Sequence, residues 1–189
     1  MAGAKDRTTY PPVVIDIEKV RASGIIKDQI DLDEPDKSGT FSATLLRTAV
    51  TTTLDFERRW ASYAKSENEP LVLPALVIQV TDKATTAQLT ELVSIVEKQW
   101  SGLGPHAVVN VFGEHTDLVL GSRKVRWVPP ESIQDESTIR VVLAKEAIST
   151  GWDCPRAEVL YSERAAKDAT HIAQVIGRMV RSPLAHRIP

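Results

Sequence analysis

Gln174, Arg178 and Arg181 are the residues of this 189-residue chain whose types and spacing most clearly suggest chemistry. Placed on a helix they recur at i, i+4 and i+7, so one face presents an amide and two guanidiniums. Ile172, Val175, Ile176 and Met179 then form an apolar stripe on the other side. Guanidinium forks match phosphate oxygens in a bidentate way that the point charge of lysine does not reproduce. The set reads as an anion site, against the plainer alternative of solvated arginines on a surface helix.

What lies upstream decides between these readings. Ile139 to Ala144 has the composition of a buried strand, and a polar turn leads from it to Gly151-Trp152-Asp153-Cys154-Pro155. A second apolar run, Ala157 to Tyr161, precedes the arginine segment. Strand, loop, strand, loop, helix is the rhythm of a parallel α/β sheet, whose ligand crevice lies beyond the carboxyl ends of its strands. On this reading Asp153 and the arginines meet in one cleft. Trp152 is read as core, with base stacking as the alternative, and Cys154 as a small packed thiol.

These segments resemble motifs V and VI of superfamily 2 helicases, most closely those of the restriction subunit of type III restriction enzymes. The resemblance rests on Lys145-Glu146-Ala147, on Gly151-Trp152-Asp153-Cys154-Pro155, and on Gln174-x-x-Gly177-Arg178-x-x-Arg181-x-Pro183-x-Ala185-x-Arg187. Val20-Arg21-Ala22-Ser23-Gly24-Ile25-Ile26-Lys27-Asp28 also resembles the segment that leads into the second motor domain of that family. It implies a RecA-like three-layer α/β/α domain with a mainly parallel sheet, the half of a two-domain ATP motor without a P-loop. By the same resemblance Arg178 and Arg181 reach the γ-phosphate of ATP held on a first domain, and Gln174 supports them. Gly151, Asp153 and Gly177 shape the ATP cleft, and Gln79, Thr81, Lys145 and Thr150 contact nucleic acid. Implied partners are DNA, the P-loop domain of the same polypeptide and a DNA methyltransferase subunit, and ATP with Mg2+ would be bound mainly by that first domain. The chain departs from the common pattern at Lys145-Glu146, where many members have Thr-Asp, and at Thr150, where they have Arg or Glu.

The residues themselves set limits on this expectation. No G-x-x-x-x-G-K-[S/T] occurs, so the chain has no phosphate cradle of that kind and is expected to hydrolyse no ATP alone. No residue set suggests a metal site. The single cysteine excludes an internal disulfide framework and fits a reducing, cytoplasmic setting. No apolar run reaches the length of a membrane span. The net charge of −2 disfavours a broadly basic surface, yet Ile139 to Pro189 holds eight Lys+Arg against five Asp+Glu. A local basic groove suffices for tracking a nucleic-acid backbone. The alternative function is a non-catalytic RecA-like module that docks DNA or a protein partner.

The positioning elements follow from periodicity. By the resemblance, 13–40 is expected to be the lead-in from a first motor domain and 41–189 the second RecA-like domain, truncated at its C-terminus, with residues 1–12 a disordered polar leader or expression boundary. Val13 to Ile17 and Ile25 to Leu32 read as strands about a Gly24 turn, and Asp33 to Thr40 as a loop. Ser42 to Lys65 reads as a helix with Leu46, Val50, Phe56, Trp60 and Ala64 inside, although Thr51-Thr52-Thr53 disfavours it. Ala75 to Val80 is a buried strand. Thr81 and Asp82 then either cap the next helix or contact a phosphate. In that helix Leu89, Leu92, Val93, Val96 and Trp100 keep the helical period, and Ala107 to Phe112 is the next strand. Gly113 to Gln134, with Arg123-Lys124-x-Arg126 and Trp127, reads as an irregular insertion, either a solvated loop or a nucleic-acid contact.

Overall fold

The computed structural model describes residues 16–27, 29–31, 42–145, 152–163, 177 and 179–186. The expected leader (1–12), Val13 to Ile15 and the loop Asp33 to Thr40 lie outside the described residues.

Six strands form one sheet: β1 (Ala75–Gln79), β2 (Val108–Asn110), β3 (Leu118–Leu120), β4 (Arg123–Trp127), β5 (Val141–Ala144) and β6 (Ala157–Ser162). Their spatial order is β3-β4-β2-β5-β1-β6. Every neighbouring pair is parallel except β3–β4. The central strands β1, β2 and β5 are buried at every residue, the pattern of a parallel sheet covered on both faces. In register, Leu76 faces Val141 and Ile78 faces Leu143 on the β1–β5 side.

Helices α2 (Ala43–Glu67) and α3 (Thr86–Gln99) cover one face. Leu46, Val50, Leu89, Leu92, Val93 and Val96 meet Leu76, Ile78, Val141 and Leu143 there in a single apolar cluster. The other face is closed by Ile133, Trp152, Cys154 and Met179 over Val77, Val109 and Val142. Gly177 and Met179 are helical. The result is the expected mainly parallel α/β sheet flanked by helices, consistent with a RecA-like α/β/α domain.

Several local expectations change. Val13 to Ile17 was expected as a strand, but the Asp16 carboxylate accepts the Glu18 N–H at 3.0 Å and starts helix α1 (Ile17–Ser23). Gly24, at φ 70°, ends that helix in the left-handed region that glycine enters without steric cost. Of the strand expected over Ile25 to Leu32, the described residues keep one antiparallel bridge, Ile26 to Arg181. The threonine run does not break α2, because the helix packs Leu46, Val50 and the buried Thr53 inward; Thr51 and Thr53 turn their hydroxyls back onto the carbonyls of Arg47 and Ala49.

The cap of α3 is Thr85, not Thr81 or Asp82. Its hydroxyl accepts from the Gln88 backbone while the Gln88 side chain accepts from the Thr85 N–H, a reciprocal capping box. The segment expected as an irregular insertion instead contains the β3–β4 hairpin that extends the sheet, turning at Gly121 with φ 61°. From Lys124 its charged and apolar residues alternate, Lys124-Val125-Arg126-Trp127, which buries Val125 and leaves Lys124 exposed.

Candidate functional site

The sheet order locates the crevice. From β1 the chain runs through α3 over one face, toward the β2 side; from the adjacent β5 it passes to β6 on the opposite side, and the described end of that connection packs Trp152 and Cys154 on the other face. Neighbouring strands whose connections leave in opposite directions mark the topological switch point, where open α/β sheets bind ligands. Gln79 ends β1 at this point, and Lys145 follows β5.

Gln79 is buried. Its Nε2 donates to the Lys145 carbonyl at 3.3 Å, and its Oε1 accepts from the Ser162 hydroxyl at 2.9 Å. It therefore ties the carboxyl ends of β1, β5 and β6 together, and its internal bonds favour that structural role over a direct contact with nucleic acid. Thr81 is exposed in the turn beyond it. Lys145 lays its ammonium over the Phe112 ring, 4.6 Å from the centroid, and meets Glu114 Oε1 at 2.6 Å. That hydrogen bond holds the Glu114 carboxyl below its ordinary range.

The rim continues toward the hairpin. Trp127 Nε1 donates to the Phe112 carbonyl at 2.9 Å, and the Trp127 backbone N–H donates to Asp117 at 2.8 Å. Lys124 pairs with Asp117, and Arg126 pairs with Glu136. His115, at φ 54°, sets its ring against Trp127 with centroids 4.5 Å apart.

A second group borders the other face. Trp152 and Cys154 are fully buried, while Asp153 between them points outward. Burial pushes the Cys154 thiol up to about 11, so the packed-thiol reading stands and the sulfur is no nucleophile at neutral pH. Asp153 Oδ2 meets Arg181 Nη1 at 2.5 Å, with the two side chains 52% and 60% exposed. An ion pair so open contributes little to stability, which leaves it free to exchange partners.

The backbone around the pair is pinned more firmly than its side chains. Lys27 N–H donates to Val180 O at 2.6 Å, and Ser182 N–H donates to Ile25 O at 2.8 Å. Lys27 Nζ donates to the carbonyls of Pro155 (3.0 Å) and Met179, joining the two stretches that carry Asp153 and Arg181. Burial lowers the Lys27 ammonium from its ordinary range, and it raises the carboxyl of Glu158, which accepts from Trp60 Nε1 at 2.7 Å.

The structure thus brings Asp153 to Arg181 and places Gln79, Thr81 and Lys145 at the switch point. Gln174, Arg178, Gly151 and Thr150 lie outside the described residues. Gly177 is exposed, and a Cβ there would meet nothing within 4 Å. Sequence reasoning missed Lys27 as a latch and the His115–Trp127 contact, since neither has a local signature.

No protein-family model, curated protein or solved structure matches this chain. Among the described residues no group of three or more His, Cys, Asp or Glu is placed to hold a metal ion. None of the helices described is long and apolar enough to cross a membrane.

Proposed function

We propose that this chain is the second motor domain of a DNA-dependent ATPase, a helicase or translocase of the type III restriction enzyme kind. The observation that carries the reading is the exposed Asp153–Arg181 pair, formed by residues of two separate motifs and seated on a pinned backbone. The mainly parallel sheet and the absence of a phosphate-binding glycine loop accord with the half of a motor that completes a nucleotide site built elsewhere.

In this reading ATP and its Mg2+ sit on a P-loop domain of the same polypeptide. Domain closure presents Arg181 and Arg178 to the γ-phosphate, whose oxygens compete with the Asp153 carboxylate for the Arg181 fork. Phosphoryl transfer spreads negative charge over equatorial oxygens, and an arginine supplied from outside the P-loop contributes roughly 10³ to 10⁵ in rate. Because the finger arrives only on closure, hydrolysis is coupled to movement along DNA.

The test is ATPase rate, with and without duplex DNA, for the polypeptide carrying both domains. Arg181→Ala and Arg178→Ala are each expected to lower DNA-stimulated turnover by about 10³-fold or more while ATP still binds. Normal turnover in both variants removes the arginine-finger assignment. If the unaltered polypeptide hydrolyses nothing, a non-catalytic docking module replaces the motor.

A further inference from the structure

We infer that the ring pair His115–Trp127 is a base-stacking platform for single-stranded DNA on the carboxyl rim of the sheet. This names a contact surface for the reading above and rests on its DNA-binding half, not on its ATPase half.

The rim residues follow strand order. Trp127 ends β4, Phe112 follows β2, Lys145 follows β5 and Thr81 follows β1. Three inter-strand steps separate the outer members, a span of about 14 Å. Contacts run along part of this line: His115 on Trp127, Trp127 on the Phe112 carbonyl, and Lys145 over the Phe112 ring. Aromatic faces with a cation beside them are what sequence-tolerant single-strand binding uses, since every base has a π-face and every nucleotide a phosphate.

Two features distinguish this pair from ordinary surface aromatics. Trp127 is held by both its indole and its backbone N–H, so its ring plane is set before any ligand arrives. His115 is exposed and occupies the left-handed region at φ 54°, where a residue with a Cβ is strained. In spite of that cost its ring lies against Trp127, tilted by 34° with centroids 4.5 Å apart. The nearby cations are paired with Glu114 and Asp117. Phosphates must displace those carboxylates, which makes the binding salt-sensitive and modest in affinity.

Tryptophan emission gives a direct readout. Trp60, Trp100 and Trp152 are 7%, 6% and 0% exposed, so of the four tryptophans Trp127 is the one open to a ligand. Titrating the full chain with oligothymidylate should quench the accessible emission saturably, and added salt should weaken the effect. The duplex form should leave that emission unquenched. His115→Gly, which relieves the left-handed strain and therefore keeps the fold, should weaken oligothymidylate binding about tenfold, the loss expected for one stacked base. Lys145→Gln should reduce the salt dependence. Absence of saturable quenching up to about 1 mM, or unchanged affinity in His115→Gly, overturns the platform. Neither result touches the arginine-finger assignment, which is judged by ATPase rate.

Discussion

Single side chains in this protein do chemistry according to what buries them. Glu158 lies under α2 with Trp60 Nε1 on its carboxylate, Lys27 nearby, and a carboxyl raised above 4.5 chiefly by desolvation. A raised folded value means that the native state binds more protons than the unfolded chain above about pH 4.5. Its contribution to stability is therefore complete below that pH and is lost as pH rises through the raised value. Glu158→Gln removes this slope, so the urea midpoint measured from pH 4.5 to pH 7 should fall in the unaltered protein relative to the variant. Equal slopes would show that the carboxyl titrates normally. Lys27 acts in a different window, because its lowered value relaxes the cost of burial only as pH climbs toward 10.5. Arg181 and Asp153 were legible from residue type and motif spacing. Lys27 was not, since one lysine in a lead-in segment has no periodicity to betray its burial.

At the scale of elements, local hydrogen bonding overrode apparent propensity in two places. Asp16 turned an expected strand into a helix by offering its carboxylate to the next turn. Thr85, with Gln88 three residues on, outcompeted Thr81 as the cap of α3. Thr85→Ala should cost about 1 kcal/mol in chemical denaturation, the usual value of a lost N-cap. Thr81→Ala, at an exposed turn position, should stay within about 0.5 kcal/mol. A larger loss at Thr81 than at Thr85 would reverse the assignment. The Thr-x-x-Gln signature of the capping box was present in the sequence, whereas the β3–β4 hairpin was hidden by its charged residues. Two of those charges, Lys124 and Arg126, sit on alternate positions of a strand near the sheet edge, where water reaches one side, while Arg123 starts the strand on the opposite face.

For the whole molecule, Arg156 is the tie that local reading could not supply. It is 4% exposed, and its guanidinium donates to the carbonyls of Leu73, Ile133, Gln134, Glu136 and Ile139. Leu73 leads into β1 and the other four lie between β4 and β5, so one side chain ties the α2–β1 and β4–β5 connections to its own at one end of the sheet. Arg156→Met leaves several of them without a donor and should lower stability by about 3 kcal/mol or more in urea denaturation. Arg156→Lys should rescue little, because an ammonium has three donors and no fork. A loss below about 1 kcal/mol for Arg156→Met would mean that the carbonyls find water instead.

Apart from the β3–β4 hairpin, the order of helices and strands from Ser42 to Ser162, and most of the apolar residues on their inner faces, were written in local periodicity, because burial on one side of an element repeats at that element's own pitch. The residue types at Asp153 and Arg181 were equally open to reading. Folding alone could place β5 between β1 and β2, bring Asp153 to Arg181, seat Ile26 and Lys27 beside the arginine segment and stack His115 on Trp127. These contacts join residues far apart in the chain, and their free energy depends on which surfaces the packed core brings within a few ångströms of each other.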